Sequence, residues 1–231
     1  MATGIRTPHP YFPRDLVLDH YVPNTNTVFQ TLVHVGIGFL SIAALVLSLG
    51  YSRRNTTLRR NKDRFAFFWF ILSGMLNLFF EAYYEYNHAT LAGDNHPVAQ
   101  VWKEYALSDS RYLSSDSFVR VVESITTVVW GPLSMYCAWS VYHNSPSRHI
   151  GQLMLSVGQL YSCTLYYATS IFEGSPHCDP DPYYYYIYFW SFNAPWLMTP
   201  LVLLNDSVRF LFKAVVVAED LQKNNKAKKT Q

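Results

Sequence analysis

The sequence predicts an all-α membrane protein, a bundle of five transmembrane helices around an intramembrane ligand cavity. Three observations carry that expectation. Half of the 231 residues are apolar and only 15% are charged, a balance that disfavours a soluble domain. Five apolar runs reach the roughly 20 residues that a helix needs to cross about 30 Å of hydrocarbon. Arg and Lys are concentrated in two short stretches outside those runs, as expected where loop charge sets topology.

The spans follow in order. Residues 28–51 contain no Asp, Glu, Lys or Arg and form the clearest one. Residues 65–84, 118–142 and 150–172 come next, and residues 183–217 form a fifth, long enough to leave the bilayer. Pro195 and Pro200 should kink that last helix and free backbone carbonyls. The division is therefore an extramembrane segment at 1–27, a five-helix domain at 28–217 and a basic tail at 218–231. Arg53, Arg54, Arg59, Arg60, Lys62 and Arg64 crowd the first loop, Lys223, Lys226, Lys228 and Lys229 crowd the tail, and residues 173–182 hold no Lys or Arg. Positive charge stays cytosolic, which places the C-terminus in the cytosol and, with five spans, the N-terminus in the lumen. Lys228 and Lys229 among the last four residues match a dilysine retrieval signal, hence an endoplasmic reticulum membrane.

Several classes are disfavoured. Cys137, Cys163 and Cys178 give neither a disulfide framework nor zinc-ligand spacing. The Pro-rich first 27 residues lack a charged region followed by an apolar one, so no cleavable signal peptide is expected. With no phosphate loop, redox-cofactor fingerprint or HExxH pattern, the expectation is no metal, no cofactor and no nucleic-acid partner.

Within the spans lie residues that a passive anchor avoids, since a charged group at the bilayer centre costs about 2.5–3.5 kcal/mol. Asn77 and Glu81 are four apart and share a helix face, as do Glu123, Thr126, Thr127 and Trp130 at spacings of three, four and seven. Asn193 and Trp196 lie one turn apart. Gln152, Ser156, Gln159, Cys163, Tyr166 and Ser170 form a further stripe, best read as hydrogen-bond glue between helices. Two carboxyls thus point inward from neighbouring helices into a polar, aromatic-lined cavity. A carboxylic acid withdrawn from water holds its proton and can donate it at physiological pH. The chemistry expected is proton addition and removal on an apolar ligand.

The stretches His9–Asn24 (HPYFPRDLVLDHYVPN), Trp102–Tyr112 (WKEYALSDSRY), Glu123–Ser134 (ESITTVVWGPLS), Ser156–Tyr161 (SVGQLY) and Asn193–Trp196 (NAPW) run in order over nearly the whole chain. In them the sequence resembles the emopamil-binding protein (sterol Δ8-Δ7 isomerase) family of the EXPERA group. The resemblance implies a five-helix fold, residence in the endoplasmic reticulum, a homodimer, and a sterol or other polycyclic isoprenoid ligand in the lipid bilayer. It also implies an acid that protonates a ring alkene and a base that removes another proton. Carried over, Glu81 and Glu123 match these carboxyls, Thr126 and Asn193 match polar ligand contacts, and Trp196 matches the indole that steadies the cation. Asp109, Arg111 and Tyr112 match a luminal lid, and Tyr112 and Trp130 are also expected to contact the ligand. The chain departs from the pattern at Asn77, where the isomerases carry histidine, at Cys163, where they carry aspartate, and at Ser170, where they carry glutamate. An amide cannot exchange a proton as an imidazole does, so the expectation is a divergent isomerase, or a paralogue that isomerises or cyclises another isoprenoid. Two other classes stand beside it: a lipid-binding protein without chemistry, and a transporter. Two carboxyl insertion costs argue against the first, and the lack of a visible repeat against the second.

Overall fold

The computed structural model of the chain describes residues 8–18, 20–50, 58 and 60–229. The expectations for residues 1–7, for Arg53, Arg54 and Arg59 of the basic loop, and for the last two residues lie outside the described residues. Among the described residues every regular element is helical. Helix α1 (Val28–Gly50) opens on a reciprocal cap: Gln30 N donates to Thr27 Oγ1 at 3.2 Å and Thr27 N to Gln30 Oε1 at 2.9 Å. Helix α2 (Asn61–Asn87) begins earlier than its apolar run, because Asp63 in its first turn is held by two arginines. Val28–Leu49 and Asn61–Asn87 are long and apolar enough to cross a membrane.

A short helix α3 (Pro97–Tyr105) lies in the segment between α2 and helix α4 (residues 117–142), which Asp116 caps by accepting from Phe118 N and Val119 N at 3.0 and 3.1 Å. Helix α5 (Arg148–Phe172) packs along helix α6 (Pro195–Lys229). The run expected as one helix over 183–217 is divided instead. A π-helical segment, Tyr183–Ser191, is followed by a turn at Ala194, and α6 starts afresh on Pro195. Proline suits a first helical position because its missing N–H has no intrahelical partner there. Pro200 sits inside α6, so the carbonyl of Trp196 loses its usual donor. Beyond residue 217 the helix runs on to Lys229, and the basic residues assigned to a separate tail extend it, since Ala, Glu, Gln and Lys are good helix formers.

The core is split in two. One buried cluster includes Tyr84, Trp102, Tyr112, Val119 and Phe189, the other Phe70, Ala138, Val141, Leu155 and Leu203, and Trp196 packs against both. At the end of the bundle nearer the second cluster, buried Asp63 accepts from Arg148 Nη1 at 2.6 Å and from Arg60 Nε at 2.7 Å, while Gln152 Nε2 donates to Leu203 O at 2.8 Å. These bonds tie α2, α5 and α6 together. At the other end the chain before α1 folds onto α3. Gln100 Oε1 accepts from Thr25 N and Asn26 N, and the buried Lys103 ammonium donates to Val22 O and to Asn95 Oδ1. The result is a cap over one mouth of the bundle.

Candidate active site

Between the two clusters lies a cavity of about 710 Å³. Its wall includes all eight side chains that the sequence singles out for chemistry or ligand contact: Asn77, Glu81, Tyr112, Glu123, Thr126, Trp130, Asn193 and Trp196. Three π-helical turns border the cavity: Leu76–Glu81 within α2, Thr126–Trp130 within α4, and Tyr183–Ser191, just before Asn193. A π turn inserts an extra residue per turn, widens the helix and re-aims the side chains around it. Spacings of three, four and seven presume an α-helix throughout, so periodicity offers no sign of these turns.

Two carboxyls face the void with different neighbours. Tyr112 donates its hydroxyl hydrogen to Glu123 Oε1 at 2.7 Å, so this residue of the expected lid bonds directly to one of the two carboxyls. Asn77, almost fully buried, is oriented by its neighbours: its amide nitrogen donates to Ser73 O at 2.9 Å and to Glu81 Oε1 and Oε2 at 3.1 and 3.2 Å. Both hydrogens of that amide are engaged, and it holds the Glu81 carboxyl in place.

Of the remaining polar groups, Thr126 and Asn193 are engaged within the protein, while the buried Trp130 Nε1 has no hydrogen-bond partner among the described residues. Thr126 Oγ1 donates to Val122 O at 2.8 Å, which leaves its lone pairs to accept. Tyr105 donates to Asn193 Oδ1 at 3.0 Å, and Asn193 Nδ2 donates to Phe189 O at 2.8 Å. The Trp196 ring packs against Trp69 with centroids 5.3 Å apart, and Trp69 Nε1 donates to Gln159 Oε1 at 3.2 Å. Cys163 lines the cavity and Ser170 does not, so only the first of those two departures bears on the void. Lys228 and Lys229 lie exposed at the far end of α6.

Sequence reasoning passed over four titratable wall residues, His34 of α1, Glu104 and Tyr105 of α3, and Tyr188, and one glycine behind the wall, Gly158. His34 lies three residues after Thr31 and four before Gly38, both on the wall, so a helical stripe along α1 was the available signal. Gly158 has no such signature. A Cβ there would stand 2.5–2.8 Å from three carbons of the Trp130 indole, so the ring occupies the space a side chain would take. Among the described residues no three His, Cys, Asp or Glu side chains are grouped to hold a metal ion.

Known proteins match this chain in sequence. The profile of the EXPERA (EXPanded EBP superfamily) family matches residues 97–207. A 3-beta-hydroxysteroid-Delta(8),Delta(7)-isomerase of Cavia porcellus is 38% identical, covering 93% of this chain and 94% of its own length. The protein of that name from Rattus norvegicus is 35% identical over 93% of each chain. A protoglabretal synthase of Ailanthus altissima is 30% identical, covering 95% of this chain and 98% of its own.

Proposed function

The chain belongs to the EXPERA family, the expanded EBP superfamily, and on that premise we propose that it is a cofactor-independent intramembrane isomerase. It moves a C=C bond, or closes a ring, in a sterol or other polycyclic isoprenoid. Protonation of an alkene by one of Glu81 and Glu123 gives a carbocation, and loss of a different proton to the other carboxyl restores neutrality. The observation that supports this most directly is the pairing of two carboxyls, each held by its own donor, on one apolar wall. Such an arrangement positions proton donors and acceptors without solvent. A passive lipid binder has no use for it.

Trp196 is assigned the cation. Its indole lines the cavity beside Trp69, and a desolvated cation over an indole face gains about 2 kcal/mol or more. Trp196→Ala should therefore lower kcat about tenfold or more while changing KM little. A raised KM with unchanged kcat would make the ring a wall and nothing more.

Asn77 points away from the plain sterol reaction. Its amide orients Glu81 but cannot relay a proton, which favours a neighbouring isoprenoid, as the likeness to a protoglabretal synthase also does. The decisive experiment expresses the chain in cells that lack sterol Δ8-Δ7 isomerase and follows their sterols, and added triterpenoid precursors, by mass spectrometry. The wild-type chain is expected to restore sterol isomerisation poorly, and Asn77→His to improve it. Full restoration by the unaltered chain would return the assignment to the sterol isomerase itself, and no product from any substrate would end the enzyme reading.

The site sits in a five-span bundle in the endoplasmic reticulum membrane, with the cap and N-terminus luminal and α6 ending in the cytosol. The basic first loop and the lysines of α6 support this orientation. A C-terminal tag should be digested by protease added to sealed microsomes, and its protection would reverse the topology. Replacing Lys228 and Lys229 with Ser should let the protein leave the endoplasmic reticulum.

A further inference from the structure

Glu104 is a third carboxyl on the cavity wall, and the proton traffic proposed above gives it no task. It projects from α3, in the cap, half-buried. Its Oε1 accepts the hydroxyl hydrogen of Tyr188 at 2.9 Å, and Tyr188, from the π-helical segment, lines the same cavity. Among the described residues no hydrogen bond reaches Glu104 Oε2. Withdrawal from water raises the pKa of Glu104, and the bond from Tyr188 opposes that shift only in part.

A half-buried carboxyl on an apolar cavity wall, with one oxygen bonded and no donor from the described residues to the other, gains from a donor that a ligand brings. Because Tyr188 has given its hydrogen to Glu104, its own oxygen also presents lone pairs. The pair therefore offers two acceptors at the cap end of a cavity whose other walls are largely hydrocarbon. The chemistry that fits is an alcohol at one end of an apolar molecule.

We propose that Glu104, seconded by Tyr188, is the specificity-determining residue that accepts a hydrogen bond from a ring hydroxyl of the ligand. This rests on the reading of the cavity as a site for polycyclic isoprenoids. It narrows the substrate class to those that carry a free hydroxyl at the end opposite the reacting alkene's far ring. The hydroxyl docks under the cap, and the rings extend toward Trp196.

The test measures quenching of tryptophan fluorescence in the purified full chain, using a Δ8 3β-hydroxysterol and its 3-O-methyl ether, with turnover followed in the same preparations. The wild-type chain should bind the alcohol at least about tenfold more tightly than the ether, the worth of one hydrogen bond to a carboxylate. Glu104→Met should bring the two affinities within about twofold, whereas Tyr188→Phe, which frees the second carboxylate oxygen, should keep the preference for the alcohol. If Glu104 merely braces α3 against the π-helical segment, both variants weaken alcohol and ether alike, and the proposal fails. A preference that survives in Glu104→Met reflects the bulk of the methyl group and also overturns it. Selective binding without turnover of the sterol or of added triterpenoid precursors would sink the enzyme reading and leave this assignment standing. Absence of binding by either sterol would overturn this assignment.

Discussion

Glu123→Gln is expected to lower turnover by about a hundredfold or more while the protein stays folded. A positioned acid or base contributes about 10²–10⁴ in rate, and the amide can neither give nor take the proton. The fold is spared for a specific reason. Tyr112 donates to Glu123 Oε1, and a Gln side chain retains a carbonyl oxygen to receive that hydrogen. Glu81→Gln should fall as far in turnover and somewhat further in stability. Asn77 donates to both Glu81 oxygens, so an amide there sets one NH₂ group against another until Asn77 turns over. The check is product formation beside a melting curve in detergent for each variant. Near-wild-type turnover in both would remove the acid and base assignment.

Gly158→Ala should destabilise the bundle by about 2 kcal/mol and weaken ligand binding. Two effects oppose. Alanine gains about 1 kcal/mol over glycine inside a helix, while forcing atoms into a filled interior costs about 1–3 kcal/mol. The upper end applies, because the atoms met at 2.5, 2.6 and 2.8 Å belong to a rigid indole rather than to the end of a flexible chain. The Trp130 ring can yield only by moving, and it already forms part of the cavity wall. A lower melting temperature together with weaker quenching by a sterol is the expected pair of results. Unchanged values for both would mean that the ring has free space elsewhere.

How the helices themselves form was largely legible. The apolar run from Val28 announces α1, the run from Phe118 announces α4, and the eight side chains picked out beforehand do meet on one wall. Their meeting is readable because only buried, inward-facing positions tolerate such groups between apolar neighbours. The resemblance in WKEYALSDSRY and ESITTVVWGPLS was equally plain in the letters, although it gave no sign that Tyr112 would bond to Glu123.

Other features were decided by contacts between elements remote in sequence. The π turns of α2 and α4 lie opposite each other, where Gly131 brings the two helices so close that a Cβ would meet Asn77 and Leu78. Helix propensity is a local quantity and cannot register such a meeting. The bond from Tyr112 to Glu123 and the role of Gly158 beneath Trp130 likewise depend on which helices become neighbours. The sequence by itself determined which residues would leave water and which would not be left there alone, because burial cost is a property of each side chain. Only the tertiary structure decided which partner each of them found, since a hydrogen bond needs a distance and a direction that no spacing along the chain supplies.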